Sequence, residues 1–264
     1  MTPFVLLLFL AVLQGLTEYL PVSSSGHLVL ARLLLPGGSE FPEDATLEVV
    51  LHLGTLAAVF LFYRKEIWAL IQGVLGGGNS PPVQRKLAFY LLLGSLPAAI
   101  VGLTLKDSIE ATFGTTQVSS LCLLVTGLIL WVSKNRGGSR GLLELGASAA
   151  ILIGLAQSFA ILPGISRSGS TIVAALFLGY RIEAAAAFSF LLSIPAILGA
   201  AILKLPQALE ASVPLPAGIW LATGLAFLVG YFALGLLLRM AQANRLFWFA
   251  PYCWAAGLVS FFLS

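Results

Sequence analysis

Two apolar stretches, Phe4–Leu35 and Leu142–Tyr180, are each long enough to enter a membrane, and each is interrupted near its middle by proline, glycine and a cluster of serines. Proline removes a backbone donor and clashes with the preceding turn, so a helix that runs into such a cluster stops there. Inside a bilayer the freed N–H and C=O groups survive only where protein or a water-filled cavity satisfies them. The economical solution is a pair of re-entrant helix-loop-helix hairpins. Six further stretches, Leu47–Tyr63, Leu87–Leu105, Val118–Ser133, Ala184–Leu203, Leu215–Leu238 and Leu246–Leu263, meet or approach the roughly 20 apolar residues a simple crossing needs. The expected fold is an all-α polytopic membrane protein: six transmembrane helices plus two re-entrant hairpins, in a single membrane domain over residues 1–264.

Composition excludes the other classes. Of the 264 residues, 59% are hydrophobic and 9% charged, against roughly 25% charged in a soluble domain. Disorder requires the opposite balance, low hydrophobicity with high net charge. A net charge of +3 gives no argument for a nucleic-acid partner. Cys122 and Cys253 sit among apolar residues at no metal-ligand spacing, and both are expected to be buried small hydrophobes. The N-terminus lacks the basic region and small-residue cleavage site of a signal peptide, so Met1 onward is expected in the mature fold.

The placement of the basic residues tests the span count. If both broken segments return to the side they came from, one side receives Arg64, Lys65, Arg85, Lys86, Lys134, Arg136, Arg140, Arg181, Arg239 and Arg245. The other receives only Arg32, Lys106 and Lys204, along with Glu40, Glu43, Asp44, Asp107, Glu110 and Glu210. Ten against three is a positive-inside signal. It places the richer loops in the cytoplasm and both termini outside.

The two broken segments also resemble each other. Leu20-Pro21-Val22-Ser23-Ser24-Ser25-Gly26 aligns with Leu162-Pro163-Gly164-Ile165-Ser166-Arg167-Ser168-Gly169 after a one-residue gap, and each copy is followed by three spans. An odd number of crossings between copies inverts the second relative to the first. The chain is therefore expected to be an inverted-topology repeat, with one copy over about residues 1–133 and the other over about 142–264. Broken helices of such repeats meet near the midplane and build a site there.

Chemistry-bearing residues concentrate in these breaks. Gln14 and Glu18 are spaced i, i+4 and share a helix face. A carboxylate at membrane depth marks a functional site by default, the alternative being a structural partner for the broken loop. Ser23, Ser24, Ser25 and Gly26 are either caps for the helix starting near His27 or an anion cradle built on its N–H groups. A serine beside His27 can also act as a nucleophile, while His27 has an equally available role as an interfacial hydrogen-bonding residue. His52, inside the run Val49–Thr55, is expected to serve packing or hydrogen bonding. In the second break Arg167 lies among Gly164, Ser166, Ser168, Gly169 and Thr171, too far inside apolar arms to snorkel easily. Arginine is the preferred bidentate partner of phosphate oxygens. An acid, hydroxyls, a histidine and an arginine within reach of lipid fit a phosphorylated lipid as ligand.

These motifs resemble those of the undecaprenyl-diphosphate phosphatase family, bacterial membrane enzymes associated with bacitracin resistance. Gln14-x-x-x-Glu18 matches an (E/Q)xxxE motif, Leu20–His27 a Pro-Val-Ser-Ser stretch, Pro163–Thr171 a PGxSRSxxT motif, and Phe188–Pro195 is similar too. The resemblance covers essentially the whole chain. It implies hydrolysis of the polyprenyl diphosphate to the monophosphate and inorganic phosphate, recycling the lipid carrier for cell-wall glycans. It further implies a bacterial cytoplasmic-membrane location with the site open to the outside, a divalent cation (Mg²⁺ or Ca²⁺), and Glu18, Ser24, His27 and Arg167 as the catalytic group. Glu18 is also the expected metal ligand. Gln14, Ser23, Ser25, Gly26, Gly164, Ser166, Ser168, Gly169 and Thr171 are implied substrate contacts. Neutral Gln14, where many members have a first Glu, weakens metal binding by both motif positions. A homodimer is a partner expectation that the residues leave open. The competing function is a polyprenyl-phosphate transporter or flippase, for which broken helices in an inverted repeat are equally suitable.

Overall fold

The computed structural model describes residues 2–35, 46–76, 82–113, 115–210 and 216–264. Among these the architecture is helical: α1 (Pro3–Tyr19), α2 (Ser24–Leu34), α3 (Thr46–Phe62), α4 (Arg64–Leu75), α5 (Pro82–Phe113), α6 (Thr116–Trp131), α7 (Ala147–Phe159), α8 (Arg167–Phe177), α9 (Ile182–Glu210), α10 (Ile219–Gln242) and α11 (Phe249–Leu263). Among the described residues four helical stretches are long and apolar enough to cross a membrane: Pro82–Leu105, Ile182–Lys204, Ile219–Gln242 and Leu246–Leu263. The bent pair Leu47–Phe62 and Arg64–Leu75 adds a fifth if taken as one span. Large apolar side chains such as Ile202, Trp220, Phe232 and Phe262 are strongly exposed on the outer surface. An apolar exterior of this extent suits lipid and not water.

Both interrupted stretches break where the sequence places proline and serine, giving α1 with α2 and α7 with α8. The segment after Tyr63, expected to be a loop, is instead helix α4, turned by 81° from α3. It carries Arg64, Lys65 and Glu66 at its start, exposes Trp68, Ile71, Val74 and Leu75, and buries none of its residues. That distribution belongs to a helix lying in the membrane interface. Glu40, Glu43 and Asp44, assigned above to the base-poor side, fall outside the described residues, as do the side chains of Arg32, Lys106, Asp107, Glu110 and Glu210.

Helix packing relies on close backbone approach, as lipid gives apolar side chains little reason to prefer one another. At the α5–α7 crossing Gly154 lies directly on the backbone of Gly94, where any side chain would collide. The principal core gathers Tyr19, Tyr63, Phe188, Phe190, Leu191 and Leu192 around α3 and α9. Tyr19 meets Phe190 edge-on at 5.5 Å between ring centres, and its hydroxyl donates to the Thr55 carbonyl of α3.

The two breaks are stitched to each other and to α6. Ser23 caps α2 from a left-handed conformation (φ 70°), and its Oγ accepts from Gly26 N–H at 3.3 Å and from Gly164 N–H at 3.1 Å. Thr126 of α6 donates through Oγ1 to the Gly164 carbonyl at 2.7 Å and accepts from Ser166 N–H at 3.0 Å. A backbone that has left its helix thereby recovers partners from protein, as it must at this depth.

Gly164 itself has φ +98°, and an added Cβ would strike the Ser119 carbonyl and Cys122. Gly164→Ala should therefore destabilise the protein by about 2 kcal/mol or more, from the left-handed backbone and from overpacking. Gly199→Ala, in open space within α9, is the control. Thermal unfolding in detergent checks this. Equal midpoints for the two variants would show that the break is not held by that contact.

Candidate active site

Glu18, one residue from the end of α1, is the centre of the site and is only 6% exposed. Its Oε1 meets Arg167 Nη2 at 2.5 Å. Its Oε2 accepts from Ser24 Oγ at 2.7 Å and from Gln14 Nε2 at 3.1 Å, and lies 3.1 Å from His52 Nε2. The i, i+4 spacing on α1 brings Gln14 beneath Glu18, the first break brings Ser24, α3 brings His52, and the second break brings Arg167. Paired and hydrogen-bonded in this way, the carboxylate is tolerable in surroundings that would otherwise penalise it heavily.

His52 is the residue that sequence reasoning did not assign to the site. Its Nδ1 lies 2.6 Å from the Glu48 carbonyl while Nε2 faces Glu18. Both partners are acceptors, so satisfying both takes a ring protonated at both nitrogens. The i, i+4 spacing of Glu48 and His52 along an otherwise apolar helix is the signal that puts them on one face.

Around Glu18 lies a cavity of about 300 Å³. Of the expected residues, Glu18, Ser23, Ser24, Ser25, Ser166 and Arg167 line it, together with Thr17, Glu48, His52 and Lys204. Ala160, Ile161, Ile165, Ala196, Ile197 and Ala200 form an apolar wall. Two helix starts, that of α2 at Ser24 and that of α8 at Arg167, meet at this cavity. Each contributes the positive end of a helix dipole and favours an anion.

Other expected residues are placed elsewhere. His27 donates from Nδ1 to the Ser23 carbonyl at 2.7 Å and accepts at Nε2 from the Tyr252 hydroxyl at 2.8 Å, stacked on that ring and outside the cavity lining. Thr171 is engaged with the Arg167 carbonyl at 2.8 Å and Ser189 Oγ at 2.6 Å. Ser168 is buried beside Ser166 Oγ, and Gly169 donates its N–H to that same oxygen at 3.1 Å. Gly26 and Gly164 pack against each other where the breaks touch.

The donor set can be tested against a divalent cation. Glu18 Oε2 already takes up to three partners and Oε1 a guanidinium, and Gln14 turns its amide nitrogen toward the carboxylate. Among the described residues no group of three or more His, Cys, Asp or Glu side chains is placed to hold a metal ion. As arranged, the Glu18 oxygens are taken up by protein donors, while Gln14 Oε1 is buried without a hydrogen-bond partner and Thr17 and Glu48 line the same cavity.

Comparison with known proteins places the chain. The family model described as "Bacitracin resistance protein BacA" matches residues 7–259. A protein of Desulforapulum autotrophicum named undecaprenyl-diphosphatase is 42% identical over 264 residues, covering 95% of each chain. Proteins of the same name from Rhodopirellula baltica and Korarchaeum cryptofilum are 38% and 39% identical, covering 100% and 95% of this chain and 99% and 95% of theirs. With the model spanning nearly its whole length, the chain belongs to the bacitracin resistance protein BacA family.

Proposed function

We propose that this protein hydrolyses undecaprenyl diphosphate to undecaprenyl phosphate and inorganic phosphate, acting on a phosphoanhydride bond at the Glu18 site. The observation that carries the mechanism is a hydroxyl, Ser24, donating to a carboxylate that is itself paired with a guanidinium. Nucleophile, base and phosphate-binding cation are thus within one hydrogen-bonded unit.

The apolar wall of the cavity suits the prenyl chain, and Arg167 with the two helix starts suits the diphosphate. Arg167 has five N–H donors, enough to hold phosphate oxygens beside its pairing with Glu18. Ser24 Oγ attacks the terminal phosphorus and its proton passes to Glu18 Oε2. The bond from phosphorus to the bridging oxygen breaks, releasing undecaprenyl phosphate and leaving phosphoserine. Glu18 passes that proton to the departing undecaprenyl phosphate and is again a carboxylate. Water then attacks the phosphoserine phosphorus, Glu18 takes its proton and returns it to Ser24 Oγ as the serine–phosphorus bond breaks, and inorganic phosphate departs. Arg167 neutralises charge on the transferring group throughout, the main demand of phosphoryl transfer. His27, held by Ser23 and Tyr252, keeps the first break in shape.

The proposed architecture is six transmembrane helices with two re-entrant hairpins, in two inverted copies, within the bacterial cytoplasmic membrane and with the site open to the outside. The packing pattern supports the repeat. Exchanging α1, α2, α3, α5 and α6 for α7, α8, α9, α10 and α11 converts the α1–α10 contact into α7–α5 and α3–α10 into α9–α5, and maps α3–α9 and α6–α11 onto themselves. Cysteine labelling with an impermeant reagent checks the topology. A Cys at Gly137 should stay unmodified in intact cells, and its modification there would overturn both the orientation and the inversion.

Arg167→Lys keeps the charge but loses the planar fork, and is expected to lower turnover on the order of 10²-fold or more. Phosphate release from a polyprenyl diphosphate in detergent measures this, and near wild-type turnover would reduce Arg167 to a counter-charge. In the same assay transport is impossible, so phosphate release separates an enzyme from a flippase. Ser24→Ala should fall to near background, and the wild type should yield a trappable phosphoserine at position 24. A substantial residual rate without phosphoenzyme would make Ser24 a water-positioning group instead.

A further inference from the structure

A second cavity, of about 450 Å³, opens where the C-terminal ends of α6 and α10 meet the start of α9. It shares no lining residue with the Glu18 cavity. Its polar lining includes Asn135, Arg136, Arg181, Glu183, Gln242 and Asn244, and its apolar lining includes Leu176, Ile182 and Leu246. Two arginines and one glutamate line it, so the formal charge of the lining is positive. Among the described residues neither Arg136 nor Arg181 is in an ion pair.

The depth of this cavity is marked by its neighbours. Lys134 lies 5.6 Å from the Trp131 ring centre and 5.2 Å from that of Phe247. Arg245 lies over Trp248 at 4.6 Å and Arg140 over Tyr180 at 4.8 Å. Aromatic rings interleaved with cations are the signature of the headgroup level of a bilayer. Arg136 Cζ lies 4.7 Å from the Phe177 ring centre, a cation–π contact at the same level. A guanidinium carries five N–H donors, and Arg136 has no carboxylate partner among the described residues to take them from an anion.

We propose that this cavity binds the phosphate group of an anionic phospholipid. Arg136 and Arg181 take the phosphate oxygens, the amides of Asn135, Gln242 and Asn244 take the glycerol or headgroup hydroxyls, and Leu176, Ile182 and Leu246 meet the start of the acyl chains. Phosphate is the shared chemistry of a lipid headgroup and a free ion. The adjoining aromatic belt and the apolar floor favour the lipid.

The test is native mass spectrometry of the full chain in detergent, titrated with short-chain phosphatidylglycerol, short-chain phosphatidylcholine or inorganic phosphate. Phosphatidylglycerol should bind saturably and at least tenfold more tightly than either of the others. The double substitution Arg136→Gln with Arg181→Gln should weaken it at least tenfold while leaving undecaprenyl diphosphate turnover unchanged. Glu183→Gln, which removes the opposing carboxylate, should tighten it severalfold and guards against a loss caused by misfolding. Equal affinity for inorganic phosphate would overturn the lipid assignment. Unchanged phosphatidylglycerol binding in the double variant, or in Glu183→Gln, would overturn the site.

Discussion

A single buried carboxylate imposes most of what is unusual about this protein. Glu18 is bonded or paired to Gln14, Ser24, His52 and Arg167, drawn from α1, α2, α3 and α8. Leaving such a charge unmatched in an apolar interior costs several kcal/mol. The helices that carry its partners must therefore arrive together. Two of them, α2 and α8, do so by beginning inside the helical mass, which is what the breaks at Pro21 and Pro163 permit.

Each break creates a debt of unpaired backbone groups, which in the second is met by the first break and by α6. Ser23 accepts from Gly164, and Thr126 of α6 both donates to Gly164 and accepts from Ser166. These contacts lie beside the cavity lined by Ser23, Ser24, Ser166 and Arg167. Structural need and chemical function thus draw on the same short segments. A serine that caps a helix and the serine proposed as nucleophile sit side by side, Ser23 turned toward the backbone of the opposite break and Ser24 toward Glu18. Positive φ at Ser23 is the local strain that separates their directions.

The breaks and the choice of Glu18 as a site residue were legible in the sequence because proline, glycine and an acid in an apolar stretch are each hard to explain any other way. Arg167 was legible for the same reason, whereas the pairing of Glu18 with Arg167 was not. His52 was not, since a histidine in Val49–Thr55 has an ordinary packing role and its partner lies 34 positions away on another helix. His27 shows the reverse difficulty. Its position directly after Ser24, Ser25 and Gly26 suggests proximity to the reacting hydroxyl, but one helical turn carries its ring toward Tyr252 on α11. Helix α4 was obscured because its charged start reads as a loop, while its apolar positions are too few to span. Side-chain direction and long-range partners are set by tertiary packing, and spacing alone does not encode them.

The proposed duplication also explains why the site is asymmetric. Under the alignment of the breaks, Ser24 corresponds to Arg167 and Glu18 to Ala160, and all four line the cavity. Two faithful copies of the first segment would bring a second carboxylate toward Glu18, where like charges in a low-dielectric setting cannot both ionise. Two copies of the second would place paired guanidiniums together with no acid to serve as base. Divergence of the copies leaves one acid and its hydroxyl from the first and one guanidinium from the second, which is the combination that phosphoryl transfer to a serine requires. In this reading the symmetry supplies the meeting point of the two breaks, and its loss at two aligned pairs, Ser24 with Arg167 and Glu18 with Ala160, supplies the proposed chemistry.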